Sequence, residues 1–283
     1  MFGTLTLGRP LGIRLGVHWS FWLLPLFVLF SNLGPLGVAG AGFKVASLLA
    51  VFGCVALHEL GHAAAAKLFG IRTRDIVLYP LGGVANLERM PRNPFQEIAI
   101  ALAGPAVNVV IAGMILPFLL FGGSFGTAEG TVASAFFEQL MWANVVLVAF
   151  NMLPAFPMDG GRVLRAVLAM FLPRVQATSI AATIGTGFAI LFGMIGVLSG
   201  QFMWLVLAMF LFVIGRAEER DVRAEEEDRE RRQFRGTRLG WPIAFEIPVV
   251  TNTRPADGWV FDASSQMWTK WEHGVAVARS RNP

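Results

Sequence analysis

Long apolar runs separated by short polar segments dominate the chain from residue 15 to residue 215. An α-helix needs about 20 apolar residues to cross a hydrocarbon core of about 30 Å. Runs of this kind lie at residues 15–32, 44–69, 96–121, 136–153, 178–199 and 201–215. The pattern therefore predicts about six transmembrane helices, with only "SGQ" between the last two.

The segment between the second and third runs has a different pattern. "IRTRDIVLYPLGGVANLERMPRN" combines strand-forming residues with a Gly-Gly pair, which predicts a β-hairpin. Pro94 follows at a position that suits the first turn of the next helix. The predicted fold class is an all-α polytopic membrane protein with a small membrane-associated β-hairpin.

The composition agrees with this pattern. Of the 283 residues, 55% are hydrophobic and 15% are charged, whereas soluble domains are about one quarter charged. An ordinary soluble domain is therefore excluded, and no basic patch suits nucleic acid. The single cysteine, Cys54, cannot form an internal disulfide. It lies four residues before His58, where we expect small buried packing, although the same helix face would allow an approach to His58.

Basic residues predict the orientation of the chain in the membrane. The loops "SNLGPLGVAGAG" and "FGGSFGTAEGTVASA" contain no lysine or arginine, while the opposite ends of the runs are rich in them. The positive-inside rule then places both termini in the cytoplasm of a multi-pass protein. Arg162 and Arg165 are among these basic residues, and we expect them to meet lipid headgroups.

The composition changes abruptly after Arg216. We divide the chain into a membrane core, residues 1–216, and a cytoplasmic tail, residues 217–283. "AEERDVRAEEEDRERRQFRG" pairs opposite charges four residues apart and predicts a solvated helix. "FEIPVVTNTRPADGWVFDA" predicts two short strands around a turn. The tail is a candidate β unit and a candidate surface for a partner or a second copy.

Three ionisable residues interrupt the second apolar run. In "VALHELGHAAAAKLFG", His58 and His62 are four residues apart and share one face of a helix. Two such imidazoles can bind one zinc ion, and Glu59 beside them can reach water at the metal without being a ligand. Each ionisable group in lipid costs at least about 2.5 kcal/mol. A metal site is therefore favoured over an incidental helix interface.

A third protein ligand has to come from another part of the chain. In "NMLPAFPMDGGRVLRA", two prolines should break the fourth helix, and Asp159 lies on that break. Irregular backbone at membrane depth is tolerated only where protein or an aqueous cavity lines it. Asp159 also suits the N-cap of the next helix, so the residues alone leave metal ligation and capping open.

These motifs together resemble the site-2 protease family of intramembrane zinc metalloproteases. "HELGH" is similar to the family's HExxH motif, and "NMLPAFPMDGG" to its second signature. "LGGVANL" and "ALAGPAVN" resemble its membrane hairpin and a third-helix segment. The resemblance implies that His58, His62 and Asp159 bind one Zn²⁺ per chain, that Glu59 is the catalytic base, and that Asn151 positions or stabilises the scissile carbonyl.

The resemblance also implies a substrate class. The family's hairpin, here Leu81, Gly82, Gly83 and Val84, is expected to pair with an unwound substrate strand, because strand addition satisfies the substrate backbone. The expected activity is hydrolysis of a peptide bond in or near the transmembrane segment of a membrane protein, in a prokaryotic cell membrane. A metal transporter and a non-catalytic protein that binds transmembrane helices are the alternatives, and neither gives a reason for Glu59.

Overall fold

The computed structural model describes residues 3–80, 82–88, 91–121, 132–239, 258–262, 267–273 and 275–281. Two compact units are present, Met1–Glu227 and Asp228–Pro283. The helices are α1 Leu23–Leu68, α2 Pro94–Phe121, α3 Val132–Asn151, α4 Asp159–Leu168, α5 Arg174–Ser199 and α6 Phe202–Leu239. The predicted division of the chain at residue 216 stays a prediction, and α6 is continuous across it.

Four helical segments of the described chain are long and apolar enough to cross a membrane. They are Trp19–Leu68, α2, α3 and α5, so the predicted count of six is not confirmed. Helix α1 contains the first apolar run from residue 23 onward and nearly all of the second run, and it has 46 residues and a kink at Gly37 with φ of 66°. A helix of this length extends about 69 Å, and the kink divides it because glycine adopts this backbone conformation without steric cost.

A four-stranded sheet packs beside α1. Its strands are β1 Thr4–Gly8, β2 Arg14–His18, β3 Thr73–Tyr79 and β4 Gly82–Leu87, in the order β1-β2-β3-β4. The antiparallel pair β3 and β4 is the predicted hairpin, which is therefore confirmed. The predicted helix over 15–32 was wrong at its start, because β2 pairs in parallel with β3 across a long sequence separation.

The sheet is held against the histidine-bearing half of α1 by small and branched residues. Ile76 of β3 and Ala63 of α1 have no exposed surface and form one cluster with Ile13. On α1, a Cβ at Gly61 would lie 2.7 Å from the carbonyl oxygen of Ala103 in α2. The small residues around the histidines thus allow the close helix approach that membrane interfaces require.

The second compact unit contains an antiparallel sheet of three strands in the described residues. They are β5 Gly258–Asp262, β6 Met267–Glu272 and β7 Val275–Ser280, paired in that order. The strand predicted after the Pro-Ala-Asp-Gly turn is β5, and the strand predicted before that turn lies outside the described residues. In the charged segment the predicted helix is observed as the continuation of α6.

Candidate metal centre

Two histidines and one aspartate converge at a buried point between α1, α2 and α4. Nε2 of His58 and Nε2 of His62 are 3.0 Å apart, and each lies 3.2 Å from Oδ2 of Asp159. In the described part of the chain, this is the single group of three or more His, Cys, Asp or Glu residues with donor atoms within 4.8 Å of one another. The structure thus brings together the three predicted ligands.

The hydrogen bonds of the imidazoles decide which nitrogen faces the centre. Nδ1 of His62 lies 2.7 Å from the carbonyl oxygen of Ile100, which can only accept, so this nitrogen carries the proton. Nδ1 of His58 lies 2.6 Å from Oδ1 of Asn108. In the neutral imidazoles both Nε2 atoms then direct a lone pair toward the centre, as metal-binding histidines do.

The orientation of Asn108 follows from its own neighbours. Its Nδ2 donates to Oδ1 of Asn144 at 2.7 Å, and Nδ2 of Asn144 donates to the Leu140 carbonyl at 2.8 Å. Because a carbonyl only accepts, every donor in this buried chain points away from His58. Nδ2 of Asn144 also lies 3.3 Å from Sγ of Cys54. The cysteine is buried and packs against Asn144, in agreement with the expected buried packing.

The arrangement fits a bound cation. Two nitrogen lone pairs and a carboxylate oxygen face one another, and Oδ2 of Asp159 is a buried atom with no hydrogen-bond donor in the described residues. Ligands 2.0 to 2.1 Å from a tetrahedral zinc ion lie about 3.3 Å from one another, close to the observed separations. A metal ion at this point would satisfy all three groups.

The backbone around Asp159 directs its carboxylate toward the histidines. Met158 is the N-cap of α4, and Asp159 is therefore the first helical residue. The side chain of Met158 makes no capping hydrogen bond. The capping interpretation is therefore wrong. A Cβ at Gly160 would overlap the carbonyl oxygen of Leu153, which shows how tightly the start of α4 packs against the proline-containing loop.

Strand β4 passes directly over Glu59. A Cβ at Gly83 would lie 2.6 Å from Cγ and 3.3 Å from Oε1 of Glu59, so only glycine leaves room for the glutamate. Gly82 has a φ of 141°, and the side chain of Val84 is half exposed. Leu81 lies outside the described residues. A role of this strand in substrate binding stays a prediction.

Asn151 lies at the last position of α3. Its Nδ2 donates to the carbonyl oxygen of Leu147 at 3.0 Å, within its own helix. Among the described residues it makes no hydrogen bond to His58, Glu59 or Asp159. Its predicted role in substrate positioning therefore stays a prediction.

The expected position of Arg165 at lipid headgroups was wrong. Its side chain has no exposed surface and contacts two glutamates, Glu97 and Glu218. These two ion pairs could not be predicted from the sequence because the three residues come from α2, α4 and α6. The tight packing of Gly104 on α2 was also missed.

Replacing Gly104 with alanine is expected to weaken metal binding at least about tenfold, the range seen when groups around a metal site are disturbed. A Cβ at this position would lie 2.7 Å from Nε2 of His58 and overlap Nε2 of His62. The measurement is zinc content after equilibration with a competing chelator. Gly113→Ala is the matched control, because a Cβ at Gly113 on the same helix contacts nothing within 4 Å. Equal zinc content in both variants would contradict the crowding described here.

Known proteins are similar to this chain over much of its length. The family model for peptidase family M50 matches residues 46–130 and 122–194. A zinc metalloprotease from Methanocaldococcus jannaschii is 30% identical over 78% of this chain and 62% of its own. Stage IV sporulation protein FB of Bacillus subtilis is 28% identical over 71% of this chain and 64% of its own. The chain thus spans less than two thirds of both curated relatives.

A solved structure is similar to the chain in three dimensions. The site-2 protease from Methanocaldococcus jannaschii matches with a TM-score of 0.56 and 31% sequence identity. The match covers 76% of this chain and 95% of that one. The similarity extends to nearly the whole of the solved chain.

Proposed function

The chain belongs to peptidase family M50, and we propose that it is a zinc-dependent protease that cleaves membrane proteins in or near a transmembrane segment. The observation that carries the proposal is the convergence of His58, His62 and Asp159 next to Glu59. The two histidines and Glu59 lie in the apolar helix α1, and Asp159 is the first residue of α4. The relatives are named as zinc metalloproteases and a site-2 protease, which supports zinc as the metal.

The proposed roles of the ligands follow from their surroundings. His58 and His62 would hold one zinc ion through their Nε2 atoms, while Asn108 and the Ile100 carbonyl fix the ring orientations. Asp159 would add the one negative charge. When bound, zinc polarises a peptide carbonyl and makes water a stronger nucleophile near neutral pH.

Glu59 is proposed as the general base and acid. Glu59 follows the ligand His58 in the chain, and its side chain lies directly under Gly83 of β4. It would accept the proton of the attacking water and deliver that proton to the leaving amine. Asn151 is proposed to hold the scissile carbonyl, which requires its amide to leave the Leu147 carbonyl that it now contacts.

The substrate is proposed to bind along β4 as an additional strand. β4 lies at one of the two edges of the sheet, so its outer backbone groups have no strand partner in the described residues. Gly82, Gly83 and Val84 would pair with substrate backbone that has left its helix, because strand addition satisfies the exposed peptide groups. Leu81 is part of the same proposed surface.

The setting is proposed to be a prokaryotic cell membrane, with both termini in the cytoplasm. Four apolar helical segments and the prokaryotic origin of the two relatives described above support this setting. The basic residues at one set of helix ends support the orientation. The tail is proposed as the surface for a partner or a second copy.

Removal of the metal is expected to abolish cleavage, and zinc is expected to restore it at one ion per chain. The measurement uses the purified full chain in bilayers with a single-span membrane protein as substrate. Chelator-treated protein, freed of chelator by buffer exchange, is assayed before and after stepwise addition of zinc. A substrate that retains its soluble domain but lacks its transmembrane segment is the matched control and should stay intact. Full cleavage by metal-free protein would contradict the proposed function.

A further inference from the structure

The side chain of Arg165 is buried between two carboxylates. Its relative exposure is 0%, and that of Glu97 is 5%. Nε of Arg165 donates to Oε1 of Glu97 at 2.7 Å, and Nη2 lies 2.5 Å from the same oxygen. Nη1 donates to Oε1 of Glu218 at 2.6 Å. The guanidinium carbon also lies 5.1 Å from the centre of the Phe156 ring.

These contacts join three helices and one loop. Arg165 is on α4, Glu97 is in the first turn of α2, and Glu218 is on α6. Phe156 belongs to the proline-containing loop that leads into α4 and is almost fully buried. The guanidinium therefore fixes the position of α4 from several directions.

Arg165 and Glu97 each lie on a helix that also supplies a group of the metal centre. α4 has ten residues and begins with the ligand Asp159. Glu97 precedes Ile100 by one helical turn, and the Ile100 carbonyl accepts the hydrogen bond from His62. The bond between Arg165 and Glu97 thus links the helix of one ligand to the helix turn that orients another.

Buried ion pairs are a poor source of stability but a good source of defined geometry. The desolvation of the three charged groups offsets much of their attraction, and apolar residues of similar volume are often at least as stabilising. An Arg bonded to carboxylates is, however, restricted in direction as well as distance. A role in placing α4 explains the cluster better than a role in overall stability.

We propose that Arg165 is a positioning residue for the metal centre, and that Glu97 and Glu218 hold it so that Asp159 faces His58 and His62. Glu218 lies beyond residue 194, where the match to the family model ends. Helix α6 therefore supplies a part of the support for the site from outside the matched region. This inference rests on the proposed zinc site and not on the identity of the protease substrate.

The test compares zinc affinity with stability in variants of the full chain. Zinc dissociation constants are measured by competition with a chromophoric chelator, and the thermal midpoint is measured on metal-free protein. Arg165→Lys and Glu218→Gln are expected to weaken zinc binding by about 10 to 100-fold, as losses around metal ligands do. The absorption spectrum of the cobalt-substituted protein is expected to change in both variants, because the position of Asp159 relative to the histidines changes.

Asp221→Asn is the matched control, since Asp221 is an exposed carboxylate on the same helix as Glu218. Its zinc affinity should stay within about twofold of the wild type, because it lies outside the groups that orient ligands. Glu218→Gln keeps the shape of the side chain, so its test does not depend on a variant with a disrupted core.

Unchanged zinc affinity and an unchanged cobalt spectrum in Glu218→Gln and Arg165→Lys, with or without a lower thermal midpoint, would overturn the inference. A wild-type chain that binds no zinc would overturn both the inference and the proposed function. In a third outcome the wild type binds zinc but cleaves no substrate, and the variants bind zinc more weakly than the wild type. This outcome would support the inference and contradict only the proposed protease activity.

Discussion

Glu59→Gln is expected to slow proteolysis by at least about 100-fold while zinc stays bound at the wild-type level. Glutamine has the same size and still fits under Gly83, whose position leaves space only for the existing side chain. It cannot accept the proton of the attacking water. General acid and base catalysis contributes about 10²- to 10⁴-fold to enzymatic rates, so cleavage should fall by about that factor.

The measurement pairs the rate of cleavage of a single-span substrate with metal analysis of the same samples. Glu138→Gln, at a glutamate of α3 that is not part of the cluster, is the matched control and should retain full activity. A Glu59→Gln protein that cleaves at the wild-type rate would contradict the assigned role. Loss of zinc from this variant would instead show that Glu59 also supports metal binding.

Asp159→Asn is expected to remove the metal and, with it, all cleavage. The aspartate is the one acidic member of the cluster, and the other two members are the histidines oriented by Asn108 and the Ile100 carbonyl. Since changes to groups that merely orient ligands cost about 10 to 100-fold in affinity, loss of a ligand should cost more than about 100-fold. Zinc content should fall from one per chain to near zero.

The measurement is zinc content after dialysis against a buffered metal solution, together with the cleavage rate. A similar thermal midpoint of the metal-free wild type and variant would show that folding is retained. Asp221→Asn again provides an exposed aspartate for comparison. Retention of stoichiometric zinc in Asp159→Asn would contradict the assignment of Asp159 as a ligand.

The two histidines could be predicted from the sequence because their relation is local. Helix geometry alone places residues four apart on one face, and α1 extends unbroken from the kink at Gly37 through His62. Asp159 could be predicted as a candidate because the prolines before it imply a break in the helix. The choice between ligation and capping needed the structure, which assigns the N-cap to Met158.

Strands β1 and β2 could not be predicted from local pattern. Residues 15–18 were predicted to begin the first membrane helix, yet they lie in β2, which pairs with β3 about 60 residues further along the chain. Such pairing depends on which surfaces are brought together by α1 and the hairpin. The spacing of apolar residues within one segment contains no information about such distant surfaces.

The membrane class, the hairpin and the metal-binding chemistry could be predicted because each depends on residue type and short-range spacing. The tertiary structure alone decided which groups support that chemistry. Asn108 orients His58 from another helix, and Arg165 is buried against Glu97 and Glu218 instead of meeting lipid headgroups. These side chains are positioned by partners on helices that are distant in the sequence. Local sequence pattern does not show which helices pack together, so these contacts could not be predicted from it.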